Sequence, residues 1–394
     1  MITTINNEHK KVYVPNLRFP EFKGEWKEER LSDIADLYKG TGISKDQLSD
    51  EGEPCILYGE LYTKYKSETI REIVSKTNID NTKLARSKAN DVIIPCSGET
   101  AEDIATARCV LNGNILLGGD LNIIRLHGYD GTFMSYQLNG KRKYDIAKVA
   151  QGVSVVHLYG EHLKGVKTIN PCLAEQKKIA SLLTLLDERI ATQNKIIEDL
   201  KKLKSAIIEK LYSEIQGKEY SYRQLFEIIN ERNNRLEFSN VLSASQERGM
   251  VSREDLNLDI KFERSNINTY KIVRNGDYVI HLRSFQGGFA FVGVCSPAYT
   301  IMRPKDLLEY GYLSYYFTSR QFIKSLVIVT YGIRDGRSIN VDEWFGMKIV
   351  IPTKEQQRHI VRTIKVFENK IENEEMYASC LLKQKQHLLR QMFI

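Results

Sequence analysis

From Ile179 the apolar side chains return in alternating steps of four and three: Leu183, Leu186, Ile190, Ile197, Leu200, Ile207 and Leu211, with Gln193 and Lys204 as polar exceptions. Adding 181 to each number gives Ile360, Ile364, Phe367, Ile371, Glu374, Ala378, Leu381, Lys385, Leu388 and Met392. The polar exceptions fall at the same two steps. Such alternation is the seam of a left-handed coiled coil, in which each apolar knob fills a hole on a facing helix. It predicts two helices of common descent that face each other, each roughly 40 residues and about 60 Å long. A proline marks each start: Pro171 in PCLAEQKKIASLLTLLDERI and Pro352 in PTKEQQRHIVRTIKVFENKI, since proline cannot continue upstream helical hydrogen bonding. The charges of KIIEDLKKLK and KIENEEMYASCLLKQK read as solvated outer faces, which suits a spacer better than a core element.

The duplication extends upstream of the helices. GEHLKGVKTINP, ending at Pro171, matches VDEWFGMKIVIP, ending at Pro352; NDVII at Asn90 resembles GDYVI at Gly276; ERLSDI at Glu29 resembles RQLFEI at Arg223. The offset drifts from 194 to 181, so the copies carry different insertions, and between these anchors they diverge. DVIIPCSG, NILLGGDLNIIRL, DYVIHLRSF, GFAFVGVCS and KSLVIVTYG are short, β-branched or aromatic and bounded by turn formers, which predicts strands. TFMSYQLNGKRKYDIAKVA and EYGYLSYYFTSRQFIKSL have helical apolar spacing. A shared frame around divergent interiors describes two modules that read different targets.

Composition narrows the class. The chain of 394 residues is 42% hydrophobic and 27% charged, which is ordinary for a globular protein with two or three cores. A net charge of +7 permits a polyanionic partner without demanding one. Six scattered cysteines without a CxxC point to reduced thiols rather than a disulfide framework or zinc site, and His157 and His162, five apart, are off metal-ligand spacing. No secretory signal and no apolar run of membrane-spanning length is read, so the expected location is cytoplasmic. Pro15 and Pro20 suggest an extended N-terminal arm.

Catalytic signatures are missing from the sequence. It has no GxxxxGK[ST] phosphate loop, no GxGxxG after a strand, and no Pro-Pro dipeptide such as the Asn-Pro-Pro-aromatic loop of amino-methyltransferases requires. Glu368 and Lys370 form a lone ExK, but on a predicted coiled-coil helix. The expectation is a chain without catalysis or metal of its own.

Two variable modules, each followed by a helix opening P…EQ…I and continuing LLDERI or VFENKI, resemble the specificity (S) subunit of type I restriction–modification enzymes. The leader VPNLRFPEFKGEWKE and RLSDIADLYKGTGIS is similar to the start of such subunits; the second copy, EYSYRQLFEIINERNNR, lacks the KGTGIS turn. The resemblance implies an α+β fold: two pseudo-symmetric α/β target recognition domains separated by two long antiparallel coiled-coil helices. The expected divisions are an arm over 1–20, a first domain over 21–170, a central helix over 171–216, a second domain over 217–351 and a final helix over 352–394. Implied partners are double-stranded DNA, two methyltransferase subunits and restriction subunits. S-adenosylmethionine, ATP and magnesium are expected on those partners, with no cofactor on this chain. Base edges are read by Arg, Asn or Gln, and phosphates are held by Lys, Arg, Ser and Thr. Candidate DNA contacts in the first module are therefore Lys39, Thr41, Ser44, Lys45, Tyr62, Lys64, Ser97, Thr100 and Arg108. In the second they are Arg248, Arg253, Arg283, Gln286, Arg334 and Arg337. Arg283 and Gln286 are the foremost base readers, following a strand in a glycine-rich turn. The alternative reading is a coiled-coil tether joining two protein-binding domains.

Overall fold

The computed structural model describes residues 12–80, 82–152, 155–245, 249–253, 264–281, 284–287, 292–331 and 338–394. The chain divides into two compact units. The first comprises Met1–Asn194 and Met376–Ile394, the second Lys195–Glu375. Two helices run through both units: a first long helix, Leu173–Ser213, and a second, Lys354–Met392.

In the first unit, the strand Lys27–Arg30 pairs antiparallel with Lys167–Asn170, tying the two ends of the module together at the base of the first long helix. Beyond it lies a five-stranded sheet in the order Ala35–Lys39, Leu121–Leu126, Asp91–Pro95, Arg108–Val110, Thr69–Ile70, antiparallel except for the last pair. The continuous apolar run DVII forms its centre because both faces are covered. Val92 and Ile94 pack with Leu31, Ile34, Met134 and Leu138, while Ile93 turns the other way toward Ile56, Leu61 and Ile123. The KGTGIS turn needs its first glycine: a Cβ on Gly40 would lie 2.0 Å from the Gly118 carbonyl oxygen.

The second unit repeats the plan with different filling. Lys218–Ser221 pairs with Lys348–Ile351, and an antiparallel sheet runs in the order Phe226–Ile229, Thr300–Pro304, Tyr278–His281, Ser284–Gly287. Its core is aromatic where the first is aliphatic. Tyr222 stacks on Trp344 with centroids 4.0 Å apart, and Phe285 and Phe317 pack around them.

The predicted helix TFMSYQLNGKRKYDIAKVA is two helices, Gly131–Asn139 and Lys143–Val149, parted at Gly140. EYGYLSYYFTSRQFIKSL likewise divides into Tyr312–Tyr316 and Arg320–Ser325, the second capped by the Ser319 hydroxyl. The expected strand KSLVIVTYG is corrected. Its centre is a 3-10 turn, Leu326–Val329, followed by a short strand, Thr330–Tyr331. Leu326 and Val329 enter the core while Val327 and Ile328 are exposed, an interval of three that a strand cannot give.

Within each unit the long helices run antiparallel. In the first, Leu186 and Ile190 pack with Leu381 and Leu388, and the core joining Trp26 and Phe133 includes Ile179, Leu183 and Met392. In the second, Ile208 and Tyr212 share the module core with Ile360 and Ile364, and Leu211 packs against it; Lys201 pairs with Glu375 and, further along, Lys204 with Glu368. Ile197, Ile371 and Ala378 are buried, and Leu200, Ile207 and Phe367 are half-buried.

The repeated glutamine has a defined task. Gln176 accepts the Asp130 amide at 2.9 Å and donates to the Pro171 carbonyl at 2.8 Å. Gln357 accepts the Glu309 amide at 2.7 Å and donates to the Pro352 carbonyl at 3.0 Å. Each therefore clamps a helix start to the loop before the module's own helix. Beside it, Glu175 is fully buried and takes two bonds of 2.7 Å from Arg18. Arg18→Ala strands that carboxylate and should cost about 3–5 kcal/mol, read as a lowered guanidinium midpoint; Arg18→Ala with Glu175→Gln should recover a large part of the loss.

Candidate nucleic-acid interface

A two-stranded ribbon, Ser97–Gly98 with Val156–His157, gathers the centre of a surface on the first unit. Tyr62 donates its hydroxyl to the Ser97 carbonyl at 3.1 Å, and Ser97 Oγ lies 3.4 Å from His157 Nδ1. His157 stacks with Tyr159, whose ring meets His162 edge-on. Tyr58, Tyr62, Ser97, Asp103 and Val155 line a cavity of about 640 Å³ here. Burial pushes the Tyr62 hydroxyl well above its ordinary value, so it remains a hydrogen-bond donor. Lys39, exposed at the end of its strand, lies near Cys96, whose thiol is pushed up to about 11 by burial against the pull of the Lys39 charge.

Other candidates have local duties. Thr41 accepts the Ala85 amide at 2.7 Å. Ser44 opens the 3-10 turn Lys45–Gln47 by reciprocal capping with Gln47, leaving Lys45 exposed. Thr100 caps the helix Ala101–Ile104 through the Asp103 amide. Two of the basic candidates serve the interior. Lys64 bonds Glu60 and Ser75 at 2.7 Å each. Arg108 donates to the Tyr65 and Ala107 carbonyls, and burial lowers its pKa against the pull of Glu68 and Asp187. The candidate surface thus brings Tyr62 and Ser97 together with Tyr58, His157 and Tyr159, which the sequence did not single out for it, and Lys39 lies near it beside Cys96. Their positions in the chain are distant, and the pairing of the ribbon is what joins them.

In the second unit, Arg253 is half-buried and its amide donates to the Val241 carbonyl. Gln286 stands opposite Val279 in the hairpin Tyr278–His281 with Ser284–Gly287. Arg248, Arg283, Arg334 and Arg337 lie outside the described residues. Among the described residues no group of three metal-ligating side chains occurs, and no helix is long and apolar enough to cross a membrane.

Hydroxyls and aromatic rings beside the acids Glu99 and Asp103 line the cavity, groups suited to base edges and faces, and the exposed Lys39 nearby is free to meet a phosphate. Residues 23–202 match the family model described as the type I restriction modification DNA specificity domain. The type I restriction enzyme MjaVIII specificity subunit of Methanocaldococcus jannaschii is 23% identical over 391 residues, covering 90% of this chain and 88% of that protein. The putative MjaX specificity subunit of the same organism is also 23% identical, covering 89% of each. Among solved structures, the S subunit of a type I restriction–modification system from M. genitalium aligns with a TM-score of 0.57 at 16% identity, over 96% of this chain and 99% of its own. A chain from a structure concerned with complex assembly and conformational transition of a type I R-M system aligns at 0.58 and 14% identity, over 93% and 97%.

The ion-paired Lys64 and the outlying Lys39 should separate by stability. Lys64→Ala removes the charge partner of the buried Glu60 carboxylate and should cost about 1–3 kcal/mol. Lys39→Ala should stay within about 0.5 kcal/mol of the parent. Guanidinium midpoints of the two variants check this.

Proposed function

We propose that this chain is a specificity subunit of a type I restriction–modification system, and that each unit reads one half of a split duplex target. In this reading the long helices set the unread gap between the half-sites and present two equivalent surfaces to two methyltransferase subunits. Methyl transfer, with its S-adenosylmethionine, and restriction, with ATP and magnesium, belong to the partner subunits. The assembly works on cytoplasmic DNA.

The observation that carries this reading is a frame kept constant around unlike edges. Asp91 with Arg125 reappears as Asp277 with Arg303, Gln176 reappears as Gln357, and the end-closing strand pairs are equivalent. The edges differ: the first unit offers the ribbon bearing Ser97 and His157, the second the hairpin bearing Gln286. Lys39, Lys45, Tyr62, Ser97 and His157 are proposed contacts of the first half-site. Arg253, Arg283, Gln286, Arg334 and Arg337 are proposed contacts of the second. Docking is supported by apolar side chains left on the outer helix faces. Leu185 and Val366, 181 residues apart, are 61% and 66% exposed, and Ile196 and Tyr377, again 181 apart, are 41% and 37% exposed. Each unit carries one member of each pair, which suits one kind of partner bound twice.

Lys39→Ala should weaken all duplexes alike and reduce the slope of log affinity against log salt by about 1, measured by gel shift of the complex assembled with its methyltransferase. A chain that never shifts duplex DNA and shows no salt dependence would favour the tether instead. Leu185→Glu with Val366→Glu should reduce the methyltransferase content of the purified complex from two copies to fewer than two, read by native mass spectrometry, with the variant's unfolding midpoint kept within about 0.5 kcal/mol of the parent.

A further inference from the structure

The two lysines of the seam, Lys204 and Lys385, occupy positions where a coiled coil favours apolar side chains. A buried ammonium is tolerated only when it is paired and hydrogen-bonded; Lys385 is buried and Lys204 half-exposed, and both are paired in the same way. In the first unit Lys385 Nζ lies 2.7 Å from Asp187 Oδ1 and 2.8 Å from Glu68 Oε2, with none of the three side chains more than 15% exposed. The other oxygen of Asp187 accepts the Tyr136 hydroxyl at 2.6 Å, and Lys385 sits 5.4 Å over the Tyr136 ring. Burial works to strip the Lys385 proton, but Glu68 and Asp187 outweigh it and hold the lysine above its ordinary value. Arg108, whose charge acts on both carboxylates, gives the cluster a second cation.

In the second unit Lys204 Nζ lies 3.3 Å from Glu368 Oε1, and Glu368 Oε2 accepts the Tyr315 hydroxyl at 2.7 Å. The lysines are 385 − 204 = 181 residues apart and their acids 368 − 187 = 181 apart. The tyrosines stand on corresponding module helices, Gly131–Asn139 and Tyr312–Tyr316. The device therefore has three parts from three elements: a lysine on one long helix, an acid on the other and a tyrosine from the module.

We propose that this lysine–acid–tyrosine latch is the register key of the molecule, fixing the axial position of each module on its helix pair and hence the phase in which a half-site is presented. The proposal rests on the two-reader function given above. Leucine and isoleucine seams admit a slip of one turn, about 5.4 Å, with apolar contacts re-formed. The same slip here takes a buried lysine away from its acid and the acid away from its tyrosine. The latch is stricter in the first unit, where Glu68 adds a second acid from the segment leading into the edge strand Thr69–Ile70, whose partner strand is bonded through the Cys109 amide to the Glu68 carbonyl. Lys385 thereby reaches the sheet of the module itself. These are positioning residues that need not touch DNA.

The test uses the full chain assembled with its methyltransferase, on duplexes that keep both half-sites and vary the gap by one base pair either way. The double variant Lys385→Met, Asp187→Asn preserves side-chain volume, keeps an amide oxygen at position 187 to accept the Tyr136 hydroxyl and leaves Glu68 to balance Arg108, so the fold is expected to survive. Affinity for single half-sites should stay within about twofold, while methylation at the off-length gaps should rise about tenfold relative to the preferred gap. Lys204→Met with Glu368→Gln, at a half-exposed site whose loss the fold tolerates, should raise it about threefold. Lys385→Arg, which keeps the charge, should retain the discrimination. Unchanged gap selectivity in the Lys204 and Glu368 variant, or in the folded Lys385 and Asp187 variant, overturns the latch. A parent complex indifferent to gap length would instead refute the two-reader premise, and the latch with it.

Discussion

Everything in this chain depends on the burial of one apolar stripe along each long helix. A helix of 41 or 39 residues has little tertiary support of its own, and most helical stability in proteins comes from packing one face. Here the stripe is shared. Its ends merge with the module cores, Ile179 and Leu183 with Trp26 and Phe133 in the first unit, Ile360 and Ile364 with Tyr222 and Trp344 in the second. Module and helix share one core within each unit, so the edge of each module inherits the rigidity of the rod beneath it.

The copies differ in the way that packing physics allows. Apolar cores accept wholesale replacement when volume and pattern are kept, and the aliphatic sheet around Val92 has become an aromatic one around Tyr278 and Phe285. The buried polar groups stay put: the glutamine clamps, the two Asp–Arg pairs and the two tyrosine–acid bonds. A polar network changed at one member leaves another unsatisfied in a low dielectric, so such groups change together or remain. The unvarying part of the repeat is accordingly polar and small, and the diverged part apolar and large.

The same physics explains what was legible in the sequence. The long helices were readable because their period persists over about ten turns and each is announced by a proline, and the strand at Asp91 was readable from its β-branched run. The 3-10 turn at Leu326 was not, because a four-residue apolar run carries no period that separates strand from turn. The site was legible only in part. Lys39 lies near Tyr62 and Ser97, but Lys64 is engaged by Glu60 and Arg108 is drawn inward by the acids around Lys385, and charge alone does not distinguish a phosphate ligand from an ion-pair partner. Tyr58, His157 and Tyr159 join that surface through a pairing of strands whose Ser97 and His157 are 60 residues apart in sequence, which local patterns do not announce.

Duplication within one chain also solves a problem that a homodimer cannot. Two identical subunits about a two-fold axis present identical reading edges and are confined to palindromic targets. A chain written twice can keep the equivalence on its helices, where Leu185 with Val366 and Ile196 with Tyr377 are the proposed docking pairs, and give it up at the edges proposed to read bases. That separation requires the edge to vary without disturbing the rod, and on the proposed reading the polar frame supplies the boundary: the Asp–Arg pairs and the glutamine clamps hold the module, and the edges beyond them are left to diverge. The unequal latches follow the same logic. Glu68 lies in the diverged interior of the first module yet reaches the helix lysine, so the diverged part of the module has its own hold on the frame.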